Sequence, residues 1–454
     1  MHTILKISIV TCATLMFSAS PLMSRQPDGN SPSVAQELSE LKRQTAENNK
    51  KIRRLEARLN NGGPQTNPEA TEQNWPPHYM GIPNTNSAIQ FIVNPNLAVS
   101  YDANSYTTDF VFPPFLPLKG VNPDLKTNRF NAQARATQLG FRTLSHTNIG
   151  EVKTEVSLDF WGDASNVIPS TPFYQPRVRF AYVEAAGFTV GQTTSNFVDL
   201  DAIGETVDYG TALGMSYRHG LIQYALPLNK QTSLRIAAER PATDYTDRLG
   251  NSINYAAPVI SASNPSLPDL TLHLKYQDTF GHLALRGVIR QLKVKDYSLT
   301  TPFIAKKTGW GLGVSGKFFV YNKSNLFGQF NFGDGIGRYI VLLNGQSSLY
   351  SSTLRVLDPQ KATNTIVGFE HIWNELFRSN IIYAHIQVRV SKFTPILTGT
   401  TRVTKSMNQF YLNLIYSPTK PLDVGIEYEY ADRKSNDNYR GKANRITLGV
   451  TYKF

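Results

Sequence analysis

With 454 residues, 26 prolines, 31 glycines, 22 tyrosines and 24 phenylalanines, the chain is long enough for two or three ordinary domains. Its mean hydropathy is −0.29, and after the first two dozen residues no run approaches the roughly 18 apolar residues that a membrane helix needs, so helical spanning is excluded. The formal charge of +12 would suit a nucleic-acid binder, but the export and strand patterns below argue against nucleic acid as a partner.

Residues 1–20 read as a secretory signal peptide: Lys6 is basic, Ile7 to Phe17 is apolar, and Ser18, Ala19 and Ser20 form a small-residue cleavage zone. Cys12 lies inside that segment, which leaves the mature chain without thiols and rules out disulfides and cysteine-ligated metals.

Residues 33–60 follow. Val34, Leu38, Leu41, Thr45, Asn48, Ile52, Leu55 and Leu59 recur at alternating steps of four and three, the seam of a coiled-coil oligomerisation helix. Glu37 with Lys42, and Lys51 with Glu56, occupy flanking positions where opposite charges meet across parallel helices. A helix this short is marginal alone, so a partner is implied, most simply copies of the same chain. Residues 61–87 are rich in Gly, Pro and Asn and read as a linker.

Residues 88–454 repeat strand-like runs of period two. Val152, Thr154, Val156, Leu158 and Phe160 oppose Glu151, Lys153, Glu155, Ser157 and Asp159, and Leu270, Leu272, Leu274 and Tyr276 oppose Thr271, His273, Lys275 and Gln277. Tight links at Tyr321 to Asn325, Trp373 to Phe377 and Ser417 to Pro421 alternate with long segments at Ser105 to Asn128, Pro241 to Pro268 and Gly335 to Lys361, which read as external loops. Apolar-out, polar-in alternation with short turns at one end predicts an all-β transmembrane antiparallel β-barrel. About sixteen strands, at roughly 23 residues each with their loops, would leave a water-filled lumen. Pro95 stands in the first strand, AIQFIVNPNLAV, where a regular strand is expected, so the sequence does not fix that strand's register.

The last thirteen residues, KANRITLGVTYKF, set Ile446, Leu448, Val450, Tyr452 and Phe454 on one face. With Gly449, Tyr452 and the terminal Phe454, this segment resembles the C-terminal strand by which bacterial outer-membrane barrels are recognised by the barrel-assembly machinery.

Three segments resemble the DcaP-like family of trimeric outer-membrane porins: PRVRFAYVEAAGFTVGQTTSNFVDLD (Pro176 to Asp201), GDGIGRYI (Gly333 to Ile340) and NLIYSPTKPLDVGIEYEY (Asn413 to Tyr430). The coiled coil, Pro-rich linker and barrel follow that family's layout. The resemblance implies a homotrimer in the outer-membrane lipid of a Gram-negative bacterium, its coiled coil in the periplasm, passing small anionic solutes such as dicarboxylates by passive diffusion.

The candidate site residues are of two kinds. Ser195 to Gly210 is acidic through Asp199, Asp201, Glu205 and Asp208 and is placed like the loop that narrows trimeric porins, facing a basic wall across the lumen. Parity turns Arg135, Arg177, Arg179, Arg235, Arg286 and Arg290 away from the lipid face, with Arg177 and Arg179 opposite Val178 and Phe180; Arg218 and Arg389 are assigned with them. An arginine facing hydrocarbon at mid-depth would cost about 2 to 4 kcal/mol. His146, His219, His273, His282, His371 and His385 are scattered without metal-ligand spacing, and no nucleophile elbow occurs, so no catalytic, cofactor or metal residue is expected. A binding, scaffold or lipid-hydrolysing barrel is the alternative to transport.

Overall fold

The computed structural model describes residues 34–60, 75–103, 109–121, 128–162, 174–208, 218–246, 252–253, 261–262, 265–297, 301–340, 343, 346–389 and 402–454. The signal peptide, most of the linker and residues 209–210 of the acidic stretch lie outside them. Contacts divide the chain into two units, Met1–Asn74 and Trp75–Phe454.

In the first unit Val34–Asn60 is one α-helix. Its 27 residues contain neither Gly nor Pro, so nothing interrupts the backbone ladder. Glu40 accepts from Arg43 at 2.8 Å one turn on, an exposed pair that solvent screens and that adds little to the helix. Thr45, Asn48 and Ile52 are exposed on this helix. The side chains of Val34, Leu38, Leu41, Leu55 and Leu59 lie outside the described residues.

In the second unit, strands pair antiparallel with their sequence neighbours throughout the main sheet. The final strand, Arg440–Tyr452, pairs with Asn96–Asp102 from Arg445↔Asp102 to Thr451↔Asn96, so the ladder returns to its beginning. Among the described residues this pairing covers an edge of the first strand with the last, as a membrane barrel requires. The main sheet contains 20 segments rather than the expected sixteen or so. Two are the short pieces Met80–Gly81 and Ser261–Ala262. Two more arise because the first strand breaks at Pro95 into Ser87–Asn94 and Asn96–Asp102, and its partner breaks into Arg129–Gln133 and Gln138–Thr147. Proline offers no amide hydrogen, so the ladder cannot run through it.

Tight turns use local chemistry. Ala186 and Gly187 both take positive φ, 48° and 82°, the two-residue hairpin whose twist matches the strands it joins. At another, Asn229 accepts the amides of Gln231 and Thr232 at 2.9 and 2.8 Å.

The two faces differ as alternation requires. Leu270, Leu272 and Tyr276 are exposed on the outer face, whereas Thr271 and His273 are buried on the inner one. Three segments between strands fold against the inner face. Val111 and Leu116 pack on Ala431 and Ala443. Phe197 and Val198 join Ile336, Tyr339, Ile340 and Leu343 over Phe327, Ile366, Ile382 and Met407. Parts of the segments read as external loops, Ser105 to Asn128 and Gly335 to Lys361, are therefore interior. The later part of Gly335 to Lys361 forms a second sheet with Pro241 to Pro268, made of Tyr245–Thr246, Ser252–Ile253, Ser348–Ser351 and Val356–Pro359.

Candidate functional site

The acidic segment leaves the strand Phe188–Thr194 and crosses the interior, pinned at each step to the wall behind it. Glu239 accepts the Ser195 hydroxyl at 2.9 Å and the Asn196 amide at 2.8 Å. Arg286 donates to the Phe197 carbonyl at 2.8 Å, and the Phe197 ring is wholly buried. Asp199 caps a single 3-10 turn, Leu200–Ala202, by accepting the Asp201 amide. Its other oxygen takes hydrogen bonds from His282 at 2.9 Å and Ser315 at 2.5 Å. Burial opposes ionisation of Asp199, but those two donors outweigh it and hold the carboxyl well below the usual carboxylate range. Lys275 takes Asp201 at 2.9 Å.

Farther along, Gly204 has φ +85°, and a Cβ there would meet the Phe327 ring at 2.3 Å, so only glycine fits this close crossing. Arg378 grips Glu205 with two nitrogens at 2.7 and 2.8 Å. Val207 then drops into a hollow made by the cross-strand pair Gly425↔Gly449, where added Cβ atoms would lie 2.5 and 2.6 Å from its methyls. The amides of Val207 and Asp208 donate to Glu427 at 2.9 and 2.8 Å. Asp208 ends on Arg445 at 3.1 Å, and the same guanidinium holds Asp102 at 2.7 and 3.0 Å.

This corrects one expectation. Asp199 and Asp208 do not face a basic wall across the lumen; both are buried and serve as pins to the near wall. Of these four acids, Asp201 and Glu205 keep accessible carboxylates, with side chains 61% and 37% exposed. Ligand atoms of Asp199, Asp201 and His282 gather within 4.8 Å of one another. Lys275 and the His282 hydrogen bond already engage those carboxylates, so the set is an ion-paired cluster in a basic setting.

Among the described contacts, the segment covers the wall from Thr232–Glu239 round to Arg440–Tyr452. The wall it leaves bare carries arginines. Arg142 bonds Glu155 at 2.9 Å with its side chain 44% exposed, and Arg177 bonds Asp159 at 2.7 Å with 43% exposed. Arg179 reaches the same Asp159 at 3.1 Å. Arg135 is buried against Asp109 at 2.9 Å and so belongs to the packed part of this wall, and the Arg218 guanidinium lies 5.2 Å over the Phe180 ring.

The remaining arginines sit elsewhere. Arg235 donates to His273 at 2.7 Å beside the start of the inserted segment. Arg286 and Arg290 are inward but buried, the second holding the carbonyls of Gly335 and Ala242, so they fasten inserted segments and do not line open water. Arg389 is a correction. It shares the outer side of Phe377–Arg389 with Ile381 and Tyr383, while Ile382, Ala384, Ile386 and Val388 are buried inside. Inserted segments make that inner face apolar too, so alternation there does not distinguish lipid from lumen. Phe180 is another: a register shift between Ser157 and Leu158 sets Phe180 beside inward Ser157 and leaves Arg179 as the extra residue.

Arg142, Lys275, Arg378 and Arg445 belong to the site without being among the expected pore-lining residues, although alternation already turns Lys275 inward. Arg445 was the most visible of these, a charged inward position in the sharply alternating last strand. Two cavities flank the inserted segment. One, of about 460 Å³, is lined by Tyr182, Glu184, Thr189, Gln223, Arg235 and Lys275 among others. The second, of about 390 Å³, includes Gln138, Val207, Gly425, Gly449 and Lys453. Tyr452 and Phe454 stay exposed at the chain end.

One cluster has the membership of a hydrolase triad, Ser195, His219 and Glu239. His219 bonds Glu239 at 2.6 Å, but the Ser195 hydroxyl donates to the same carboxylate, so it is not aligned with the imidazole as an attacking nucleophile. All three are buried.

A family profile described as DcaP outer membrane protein matches residues 51–454. Among solved structures, the outer membrane channel DcaP of Acinetobacter baumannii is similar at TM-score 0.68 and 21% identity, over 81% of this chain and 97% of that one. OmpF of Salmonella typhi, solved with daunomycin, is similar at TM-score 0.50 and 14% identity, over 83% of this chain and 100% of the other. No curated protein sequence matches the chain.

Proposed function

The chain belongs to the DcaP outer membrane protein family and is an outer-membrane channel; from that premise we propose that it passes small anions, dicarboxylates among them, by passive diffusion and performs no catalysis. The observation that carries this reading is the bare wall, where Arg142 and Arg177 are nearly half exposed beside Arg179 and Arg218 in a chain with a formal excess of +12. Guanidinium stays charged at any pH the cell meets and offers a fork that matches carboxylate oxygens. Several such groups in series let an anion enter without being trapped at any one. The inserted segment narrows the passage opposite them, and its carboxylates are mostly neutralised by their anchors.

Replacing Arg177 and Arg179 together with Ala should lower the anion-to-cation permeability ratio of single channels in a KCl gradient at least severalfold. An unchanged ratio would assign these arginines a purely structural role.

The helix Val34–Asn60 makes the assembly in this reading, as a three-stranded coiled coil on the periplasmic side. Native mass measurement in mild detergent should give three chains, and removal of residues 34–60 should loosen that assembly while each barrel stays folded. A single-chain mass for the full protein would contradict the trimer.

A further inference from the structure

The arginine wall is interleaved with aromatic rings, and the charge-based reading leaves these rings unused. Toward the long-loop end, Arg135 lies over Trp161 at 5.5 Å and over Tyr174 at 5.0 Å, and Trp161 packs edge-on to Phe110 at 5.2 Å. Deeper, Arg218 and Arg179 lie over Phe180 at 5.2 and 5.9 Å, and Phe180 meets Tyr182 edge-on at 6.2 Å. Phe110, Trp161, Tyr174, Phe180 and Tyr182 are all half-buried.

The inward position of Phe180 is a specific product of the fold. Without the extra residue at Arg179, strict alternation would send either Phe180 or Arg177 to the lipid side; the bulge brings both inward. Tyr182 is then fixed by its hydroxyl on Glu155 at 3.4 Å, which turns the ring toward Phe180. A lumen that needed only charge would gain nothing from a ring at this depth.

Resting on the anion-channel reading, we propose that this wall is a selectivity site for aromatic carboxylates. An aryl carboxylate can set its oxygens on a guanidinium while its ring packs edge-on or offset against Phe180 and Tyr182. An aliphatic acid of the same charge and size takes the first interaction without the second. The difference between the two solutes is that of an aromatic pair, worth about a threefold change or more in residence time.

The test is single-channel recording of the full-length protein in planar bilayers, in KCl, with benzoate or cyclohexanecarboxylate added. These anions share charge and approximate size and differ in the ring. Benzoate should interrupt the current about threefold longer than cyclohexanecarboxylate. Phe180→Leu should bring that ratio close to one, and Phe180→Tyr should keep it. Equal residence times in the unmodified channel would overturn the inference, as would a Phe180→Leu channel that keeps the preference. The KCl reversal potential, read in the same recordings, judges the underlying reading separately. Anion selectivity with equal residence times removes only the aromatic site, whereas cation selectivity removes both.

Discussion

Arg445→Ala is expected to destabilise the barrel by about 3 to 5 kcal/mol, the range for stripping one partner from a buried ion pair. Arg445 and Asp102 both have fully buried side chains, and their bidentate bond joins the last strand to the first. The same guanidinium holds Asp208, the final pin of the inserted segment, and its cross-strand register partner is the buried Glu429. Removing the cation leaves Asp102, Asp208 and Glu429 crowded in the interior without it. Arg445→Lys keeps the charge but loses the fork, so it should fall between wild type and Ala. The check is the unfolding midpoint of the detergent-solubilised protein by circular dichroism or by heat-modified migration. A midpoint unmoved in Arg445→Ala would show that this pair does not hold the seam.

The second large effect concerns conductance. Replacing residues 196–207 by a short Gly-Ser link should raise single-channel conductance about twofold or more, because the segment occupies the lumen of a barrel otherwise wide enough for an aqueous channel. Gly449→Val tests the same anchor more gently. Its side chain would claim the hollow that Val207 fills, within 2.6 Å of a methyl, and should yield a noisy current as the segment detaches. Conductance equal to that of the unmodified channel in the shortened variant would place the segment outside the conducting path.

What was legible in the sequence was whatever depends on neighbours in the chain. Alternation in Glu151 to Trp161 and in the last thirteen residues marks strands because side chains flip every residue whatever the tertiary surroundings. Pro95 marks a broken strand because the missing amide hydrogen is a property of one residue. The stretch from Ser195 is legible as an acidic segment through Asp199, Asp201, Glu205 and Asp208, placed like the loop that narrows trimeric porins.

What escaped depends on contacts between distant positions. The Arg445 bond to Asp102 joins residues 343 apart, and nothing local says that those charges meet. Arg389 was misplaced because inserted segments cover the inner face of its strand and make both faces apolar. Phe180 was misassigned because a one-residue bulge reverses parity, and no residue type marks the position of a bulge. The 3-10 turn at Gly337–Tyr339, buried with Tyr339 against Glu239 and Asp269, reads in sequence as one more Gly-rich loop.

The central claim is that the open lumen favours anions. It is tested most directly by the zero-current potential of the unmodified channel across a tenfold KCl gradient. The bare arginine wall predicts a potential on the chloride side of zero, one that shrinks toward zero as total salt is raised, since exposed guanidinium charge is screened over about 10 Å at 0.1 M and about 3 Å at 1 M. A potential on the potassium side at low salt would contradict it.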